Sequence, residues 1–271
     1  MARALIALDL DGTLLKHGLF LPDAPQFIER LRAAGHRLAV NTGRLPAGFA
    51  LEAARRIESQ GLHLFSDGSL MADAAGRIRT RHTLSRESAR TVQEILSEDI
   101  VVAELHTAWG VRYHLKGRLP KHQAEHVAGT GTPSFPIELE RVGELPLVSV
   151  WWLDLSEQTR AMLEDRLASL GRLEVYGPRE EQWILGLKPV DRNKGAGLLD
   201  LARRYGIPPE RTVMLGDGLN DLGGLEDAGL GIAVGNAPDF VQQAADRVVA
   251  PADEGGLLEA ADLILRTYDQ A

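Results

Sequence analysis

The chain has 271 residues, of which 44% are apolar and 25% are charged, a composition typical of a folded globular protein rather than a disordered or fibrous one. This length exceeds what one hydrophobic core usually supports, and it predicts two domains or one domain with a large insertion. The net charge of −8 and the lack of a long Lys/Arg run argue against nucleic acid as a partner, and the lack of cysteine excludes disulfides, thiolate nucleophiles and cysteine-ligated zinc.

The amino-terminal segment is apolar, but Asp9 and Asp11 interrupt it. A segment this short and this charged is not expected to act as a signal peptide or to span a membrane. The lack of cysteine fits a reducing compartment. We therefore expect a cytoplasmic protein with no membrane partner.

The segment from residue 1 to residue 83 alternates between strand-like and helix-like patterns. The apolar run at 4–8 is typical of a strand buried on both faces, and the helix pattern at 23–34 ends at Gly35. The next predicted elements are a strand at 36–40, a helix at about 47–60 and a strand at 62–65. This β-α-β-α-β order predicts a parallel sheet with right-handed crossovers.

From about Thr83 onward the pattern changes to that of an α+β domain. Strand patterns at 100–105 and 111–115 flank a turn-like segment and predict a hairpin. The other predicted elements are a strand at 147–153, a helix that begins after Ser156 and ends at Gly171, and a strand at 173–176. Residues 84–187 are therefore predicted to form a small domain with an antiparallel sheet, inserted between two halves of the parallel one.

The alternation of helix and strand returns near Lys188. The predicted elements are a helix at about 195–205 and strands at 212–215, 231–234 and 247–249. Residues 1–83 and 188–271 are thus predicted to form one α/β core.

Acidic residues follow two of the apolar strands directly. Asp9 and Asp11 come after the strand at 4–8, and Asp217 and Asp221 come after the strand at 212–215. In parallel sheets ligands bind beyond the carboxyl ends of the strands, so these distant segments should converge at one edge. Gathered carboxylates repel each other, and a hard divalent cation relieves that repulsion.

Four segments resemble, in order, the signatures of the haloacid dehalogenase superfamily. They are Asp9-Leu10-Asp11-Gly12-Thr13-Leu14-Leu15, Asn41-Thr42-Gly43-Arg44, Lys194-Gly195 and Gly216-Asp217-Gly218-Leu219-Asn220-Asp221. The insertion between the second and third is similar to that of the Cof-like branch, class IIB, which contains sugar-phosphate phosphatases and phosphomannomutases. The resemblance implies a Rossmann-like parallel core and an α+β cap that closes over the active site.

The chain departs from the pattern of that branch at two places. Asp67-Gly68 stands where the branch usually has Asn-Gly, and Gly223-Gly224 stands where a Met is common. These departures concern substrate contacts rather than the chemistry.

Asp9 and Asp11 are the candidate catalytic carboxylates. Either one is compatible with an ordinary turn, where Asp and Gly are common. Two carboxylates two residues apart can instead supply a nucleophile and a proton carrier to one site. By resemblance, Asp9 attacks phosphorus and forms an aspartyl-phosphate, while Asp11 protonates the leaving oxygen and then activates water.

Thr42, Gly43 and Arg44 are candidate phosphate-binding residues. Thr42 is also placed to cap the helix that follows, and both roles are compatible because a hydroxyl and free amides at a helix start bind anions. Arg44 is interpreted as either a surface charge or a substrate contact.

Lys194 is the candidate catalytic cation. A lysine at a helix start is electrostatically unfavourable, so neighbouring anions are expected to offset it. An ammonium directed at Asp9 and at the transferring phosphoryl group would spread negative charge in the transition state. The alternatives are a solvated surface lysine or the use of Lys188 instead.

Asp217 and Asp221 are candidate metal ligands, although in isolation they also fit loop acids that cap a helix. The resemblance implies that Mg²⁺ is held by an oxygen of Asp9, the backbone carbonyl of Asp11, Asp217 and waters, with Asp221 binding directly or through water. Asn220 would orient Asp221 or a phosphate oxygen. Magnesium suits this chemistry because it bridges carboxylates to substrate phosphate.

The sequence predicts a magnesium-dependent phosphatase that hydrolyses a small phosphorylated metabolite, for example a sugar phosphate, through an aspartyl-phosphate at Asp9. A phosphomutase of the same superfamily and a non-catalytic phosphometabolite sensor are the alternatives. A dehalogenase is disfavoured, because displacement of a halide from carbon needs neither the acid at Asp11 nor a metal at Asp217.

Overall fold

The chain divides into two units in the computed structural model, which describes residues 3–98, 102–118 and 129–268. One unit consists of Met1–Arg79 and Asn193–Ala271, and the other of Thr80–Arg192. The junctions predicted from the sequence lie at 83/84 and 187/188, and the assignment of the two units as core and cap domains stays a prediction. Within the described ranges, every helix is too short or too polar to cross a lipid bilayer.

The chain up to residue 81 forms short strands and two helices. They are β1 (Leu5–Leu8), β2 (Leu15–Lys16), β3 (Leu19–Phe20), α1 (Ala24–Ala33), β4 (Arg37–Val40), α2 (Gly48–Ile57), β5 (Leu62–Phe65), β6 (Leu70–Asp73) and β7 (Ile78–Arg81). The alternating elements predicted here are confirmed. The hairpin β2–β3 and the strands β6 and β7 were not predicted from the sequence.

The second unit is built on a six-stranded sheet with helices. Its elements are α3 (Arg86–Ser97), β8 (Val102–Thr107), β9 (Arg112–Leu115), β10 (Ser134–Ile137), a 3₁₀ helix (Leu139–Glu144), β11 (Leu147–Leu155), α4 (Glu157–Leu167), β12 (Arg172–Arg179) and β13 (Gln182–Lys188). The strand order is β10-β9-β8-β11-β13-β12. The predicted hairpin is present as β8–β9, although residues 100 and 101 lie outside the described residues.

The sheet of the second unit differs from the prediction in one pairing. Its strands pair antiparallel, as predicted, except that β9 and β10 run parallel. The predicted cap of α4 is confirmed, because Ser156 Oγ accepts a hydrogen bond from the N–H of Thr159 at 3.1 Å. The helix ends at Leu167 rather than at Gly171.

The remaining chain completes the first unit. Its elements are α5 (Lys194–Tyr205), a 3₁₀ turn (Pro209–Arg211), β14 (Thr212–Gly216), a 3₁₀ turn (Leu219–Asp221), α6 (Leu222–Asp227), β15 (Leu230–Val234), α7 (Asp239–Ala244), β16 (Arg247–Val249) and α8 (Leu257–Tyr268). The sheet has the order β16-β15-β14-β1-β4 with parallel neighbours, so the predicted parallel sheet is confirmed for these strands. The prediction is wrong for β5, which pairs antiparallel with β6 in the three-stranded sheet β5-β6-β7.

The register of β1 decides where the acidic loops meet. All four residues of β1 are fully buried, as expected for a central strand covered on both faces. Leu8, its last residue, lies opposite Val40 of β4 and Leu215 of β14. The next residues along the three strands are Asp9, Asn41 and Gly216, the last residue of β14, and the three loops therefore begin at the same edge.

His63 is buried in β5 as a hydrogen-bonded ring. Its Nδ1 accepts from the N–H of Val40 at 3.1 Å, and its Nε2 lies 2.8 Å from the carbonyl oxygen of Glu58. Burial lowers the pKa of His63 from 6.5 to about 4. The unfolded chain therefore binds this proton more readily than the folded protein between these two values.

We predict that His63 contributes stability that is complete above about pH 6.5 and is lost as the pH falls toward 4, at a cost of about 3 kcal/mol in the free energy of unfolding. Urea unfolding at a series of pH values measures this slope. His63→Gln should flatten it, and His17→Gln, a change at an exposed histidine, should not. An unaltered acid slope in His63→Gln would contradict the prediction.

Candidate active site

A small cavity lies at the carboxyl edge of the parallel sheet. Its volume is about 150 Å³, below that of usual ligand pockets, and it suits a phosphate-sized group rather than a whole metabolite. Its walls are Asp9, Asp11, Thr42, Gly43, Arg44, Asp217, Gly218, Asn220 and Asp221. The structure thus brings together all the predicted site residues, and all of them line the cavity except Lys194, which is buried behind Asp9 and Asp221.

Lys194 is fully buried between two carboxylates. Its Nζ donates to Asp9 Oδ1 and to Asp221 Oδ1, each at 2.5 Å. Burial acts to lower the pKa of Lys194, but the charges of Asp221 and Asp9 outweigh it and raise that pKa. The two carboxylates also offset the unfavourable position of a lysine at the first residue of α5.

Lys188, the alternative candidate for the catalytic cation, has different partners. Lys188 belongs to β13 in the second unit, where it is buried and donates to Glu174 Oε2 at 2.5 Å. Lys194, not Lys188, is the cation that contacts Asp9.

Asp9, Asp217 and Asp221 form a cluster of carboxylates with excess negative charge. Each offers one oxygen, and these oxygens lie within 4.8 Å of one another. Burial raises the pKa of Asp9 well above its ordinary value although Lys194 lowers it, and Asp221 and Asp217 raise it further. Three carboxylates and one ammonium leave a net charge of −2 when ionised. This all-oxygen donor set fits a hard divalent cation.

Asp217 is held by the amino-terminal loop. Burial raises the pKa of Asp217 to about 6, against the hydrogen bond that Thr13 Oγ1 donates to its Oδ1 at 2.9 Å. Gly12 has a φ of +86°, and a Cβ there would lie 2.1 Å from Asp217 Oδ2. Glycine is therefore required at position 12 both by conformation and by this close approach.

Asp221 organises the second acidic loop. Its Oδ2 accepts the N–H groups of Asp217 at 3.0 Å and Gly218 at 2.7 Å, while its Oδ1 accepts from Lys194. Both oxygens thus already have protein partners. A Cβ at Gly216 would lie 2.4 Å from Asp221 Cγ. The Asp221 carboxylate therefore leaves space only for glycine at position 216, directly before Asp217.

Arg44 forms a bidentate ion pair with the side chain of Asp11. Its Nε donates to Asp11 Oδ2 and its Nη2 to Asp11 Oδ1, both at 2.6 Å. This fork of two charge-assisted hydrogen bonds fixes the orientation of a carboxylate that is about half exposed. Arg44 is therefore an ion-pair partner of Asp11, and its role as a substrate contact stays a prediction.

The expected role of Thr42 as a helix cap is wrong. Helix α2 begins at Gly48 and its N-cap is Ala47, so Thr42 lies outside the first turn and the argument from free amides at a helix start does not apply. Its hydroxyl accepts from the N–H of Arg44 at 3.3 Å, and its own N–H donates to the carbonyl of Leu64 at 3.1 Å.

Three further side chains hold the site, those of Asp67, Asn41 and Asn236, and sequence reasoning assigned no role to them. Asn220 Nδ2 donates to Asp67 Oδ1 at 2.8 Å, and Asn41 Nδ2 donates to the carbonyl of Lys194 at 3.0 Å. Asn236 Nδ2 donates to the carbonyl of Gly12 at 2.9 Å. Asp67 gives a signal similar to that of Asp9, because it follows the apolar strand β5, although β5 pairs antiparallel with β6.

Comparison with known proteins identifies the family. The model of the haloacid dehalogenase-like hydrolases matches residues 6–260. The 5-amino-6-(5-phospho-D-ribitylamino)uracil phosphatase YitU of Bacillus subtilis (strain 168) is 29% identical over 262 residues, covering 93% of this chain and 94% of that protein. The pyridoxal phosphate phosphatase YbhA of Escherichia coli (strain K12) is 28% identical over 271 residues, covering 92% of this chain and 94% of that protein.

A solved structure supports the same assignment at the level of the fold. The subclass IIB sugar phosphatase BT4131 matches with a TM-score of 0.77 and 21% identity, covering 96% of this chain and 98% of that one. The predicted branch, the parallel core with an added α+β unit and the class of enzyme, a hydrolase of phosphoric monoesters, are confirmed. Because the family model spans nearly the whole sequence, the chain belongs to the haloacid dehalogenase-like hydrolases.

Proposed function

We propose that the protein is a magnesium-dependent phosphatase that hydrolyses a small phosphomonoester through an aspartyl-phosphate on Asp9. The observation that carries this proposal is the buried Asp9 carboxylate, which is bound to Lys194 and lines a cavity of phosphate size. The activities of YitU and YbhA, both phosphatases of small phosphorylated metabolites, support the reaction class.

Asp9 acts as the nucleophile in this proposal. Its Oδ1 is held by Lys194, and in the described part of the chain its Oδ2 accepts no hydrogen bond. We assign Oδ2 to the attack on phosphorus, which forms a new O–P bond while the bond from phosphorus to the leaving oxygen breaks. Lys194 keeps the attacking carboxylate in place and spreads the charge of the phosphoryl oxygens.

Asp11 moves the proton. In the first step it donates a proton to the leaving oxygen, and in the second it accepts one from the water that attacks the aspartyl-phosphate. The fork from Arg44 holds its carboxylate beside the cavity, so Arg44 is assigned to orient this acid. The other walls, Thr42, Gly43 and Asn220, are assigned to bind the phosphoryl oxygens.

Asp9, Asp217 and Asp221, together with the carbonyl of Asp11, are the residues assigned to a magnesium ion. The fit rests on their clustered oxygens. Burial, with a smaller contribution from the neighbouring carboxylates, raises the pKa of Asp9 and of Asp217, and a bound cation would offset both effects. When bound, the ion supplies positive charge that draws the substrate phosphate toward Asp9.

The substrate class is a small phosphomonoester, for which a sugar phosphate is the first candidate. The cavity has room for the phosphoryl group alone, so the core recognises phosphate and leaves the choice of leaving group to residues outside it. YitU and YbhA, whose named substrates differ in the group that carries the phosphate, support this separation.

We predict that Asp9→Asn lowers turnover by at least about 1,000-fold, because an amide cannot form the covalent intermediate. Phosphate release from a panel of phosphorylated metabolites in the presence of Mg²⁺ measures the change. Circular dichroism should show an intact fold, and Asp23→Asn, a change outside the cavity, should keep wild-type activity. Hydrolysis by Asp9→Asn at the wild-type rate would refute the assignment of the nucleophile.

We also predict that Mg²⁺ binds more weakly as the pH falls below about 6, because a proton on Asp217 then competes with the cation. The rise in melting temperature caused by a fixed MgCl₂ concentration should be large at pH 7.5 and small at pH 5. Asp217→Asn should remove most of this rise at both pH values. Equal Mg²⁺ effects at the two pH values in the wild-type protein would contradict the prediction.

A further inference from the structure

The backbone of the turn Ser66-Asp67-Gly68 is hydrogen-bonded to residues 42–44, here called the phosphate-binding loop. The N–H of Ser66 donates to the carbonyl of Arg44 at 2.9 Å, and the N–H of Asp67 donates to the carbonyl of Thr42 at 3.0 Å. These two bonds fix the position of residue 67 relative to the wall of the cavity.

The same turn packs against the start of α5. A Cβ at Gly68 would lie 2.6 Å from the carbonyl oxygen of Asn193 and 2.9 Å from the Cα of Gly197. Lys194 belongs to this first turn of the helix. The turn therefore lies between two parts of the site, the phosphate-binding loop and the lysine.

The backbone of the turn is strained. Ser66, Asp67 and Gly68 have φ values of 47°, 51° and 80°, and only glycine adopts this left-handed region without cost. Strain of this kind persists where the surroundings fix the conformation, and it concentrates at functional sites. The hydrogen bonds and contacts around the turn hold residues 66–68 in this conformation.

The carboxylate of Asp67 lies directly behind the cavity wall. It is buried, with 1% of its surface exposed, and its Oδ1 accepts from Asn220 Nδ2 at 2.8 Å. A Cβ at Gly43 would lie 3.2 and 3.3 Å from its two oxygens. Gly43 and Asn220 line the cavity, whereas Asp67 does not. Asp67 can therefore act on a bound phosphate through its charge and through Asn220 without lining the cavity itself.

The charge of Asp67 also acts on Lys194. Gly68, the next residue, packs against Asn193 and Gly197 on either side of Lys194, so the Asp67 carboxylate and the Lys194 ammonium belong to adjoining segments and attract each other. The negative charge of Asp67 thus offsets part of the positive charge of Lys194, and Lys194 attracts a phosphoryl group less strongly as a result. A buried anion at this position opposes the binding of an anion and favours the binding of a cation nearby.

We propose that Asp67 is a positioning residue that lowers the affinity of the site for phosphate and so promotes the release of inorganic phosphate. The same residue raises the affinity of the site for the metal. This inference rests on the proposed function. Asp67 needs no proton transfer for this role, because its buried negative charge alone produces both effects.

The test uses Asp67→Asn in the full-length protein. Asparagine has the same shape and tolerates a positive φ, so this variant removes the charge and keeps the backbone. Calorimetric titration with inorganic phosphate at saturating Mg²⁺, and with Mg²⁺ alone, gives the two affinities without requiring turnover. Asp73→Asn is the matched control, because Asp73 is a strand-end aspartate that binds Arg79 and lines no part of this cavity.

We expect Asp67→Asn to bind phosphate about fivefold more tightly and Mg²⁺ about fivefold more weakly than the wild-type protein. A merely structural role would weaken both, so loss of both affinities, or no change in either, would overturn the proposal. If Asp67→Asn does not fold, Asp67→Gly makes the same change of charge at a position with positive φ. Hydrolysis of p-nitrophenyl phosphate by the wild-type protein tests the proposed function separately.

Discussion

The buried ammonium of Lys194 between Asp9 and Asp221 is the interaction on which the site depends. It joins three segments that are far apart in sequence, the loop after β1, the loop after β14 and the start of α5. Loss of one partner would leave a buried charge uncompensated, which is among the most destabilising changes that a folded protein can suffer. The same two ion pairs therefore fix the geometry of the proposed catalytic site and stabilise the fold around it.

The elements that place the site were predictable, because their signals are strong and local. Continuous apolar runs identify β1 and β14, and the rule for parallel sheets then places both acidic loops at one edge. Strand β13 was missed because Gly186 interrupts its pattern. That glycine has a tertiary reason, since a Cβ there would lie 2.5 Å from the ring of Trp151.

The composition of the site followed from the sequence, but its internal bonding did not. Motif residues can be placed because each stands directly after a strand or at a helix start. The fork from Arg44 to Asp11 depends on the reach and rotamer of a long side chain, and the contact of Asp67 with Asn220 depends on a strained turn. Neither follows from residue spacing, because both are settled only when distant segments pack.

The position of β1 in its sheet has a consequence for biosynthesis. One neighbour, β4, follows within about thirty residues, but the other, β14, is more than two hundred residues away in the sequence. A growing polypeptide on the ribosome therefore carries an apolar strand with one open edge until most of the chain has emerged. Such long-range pairing slows folding, and it leaves this edge exposed to aggregation until β14 is made.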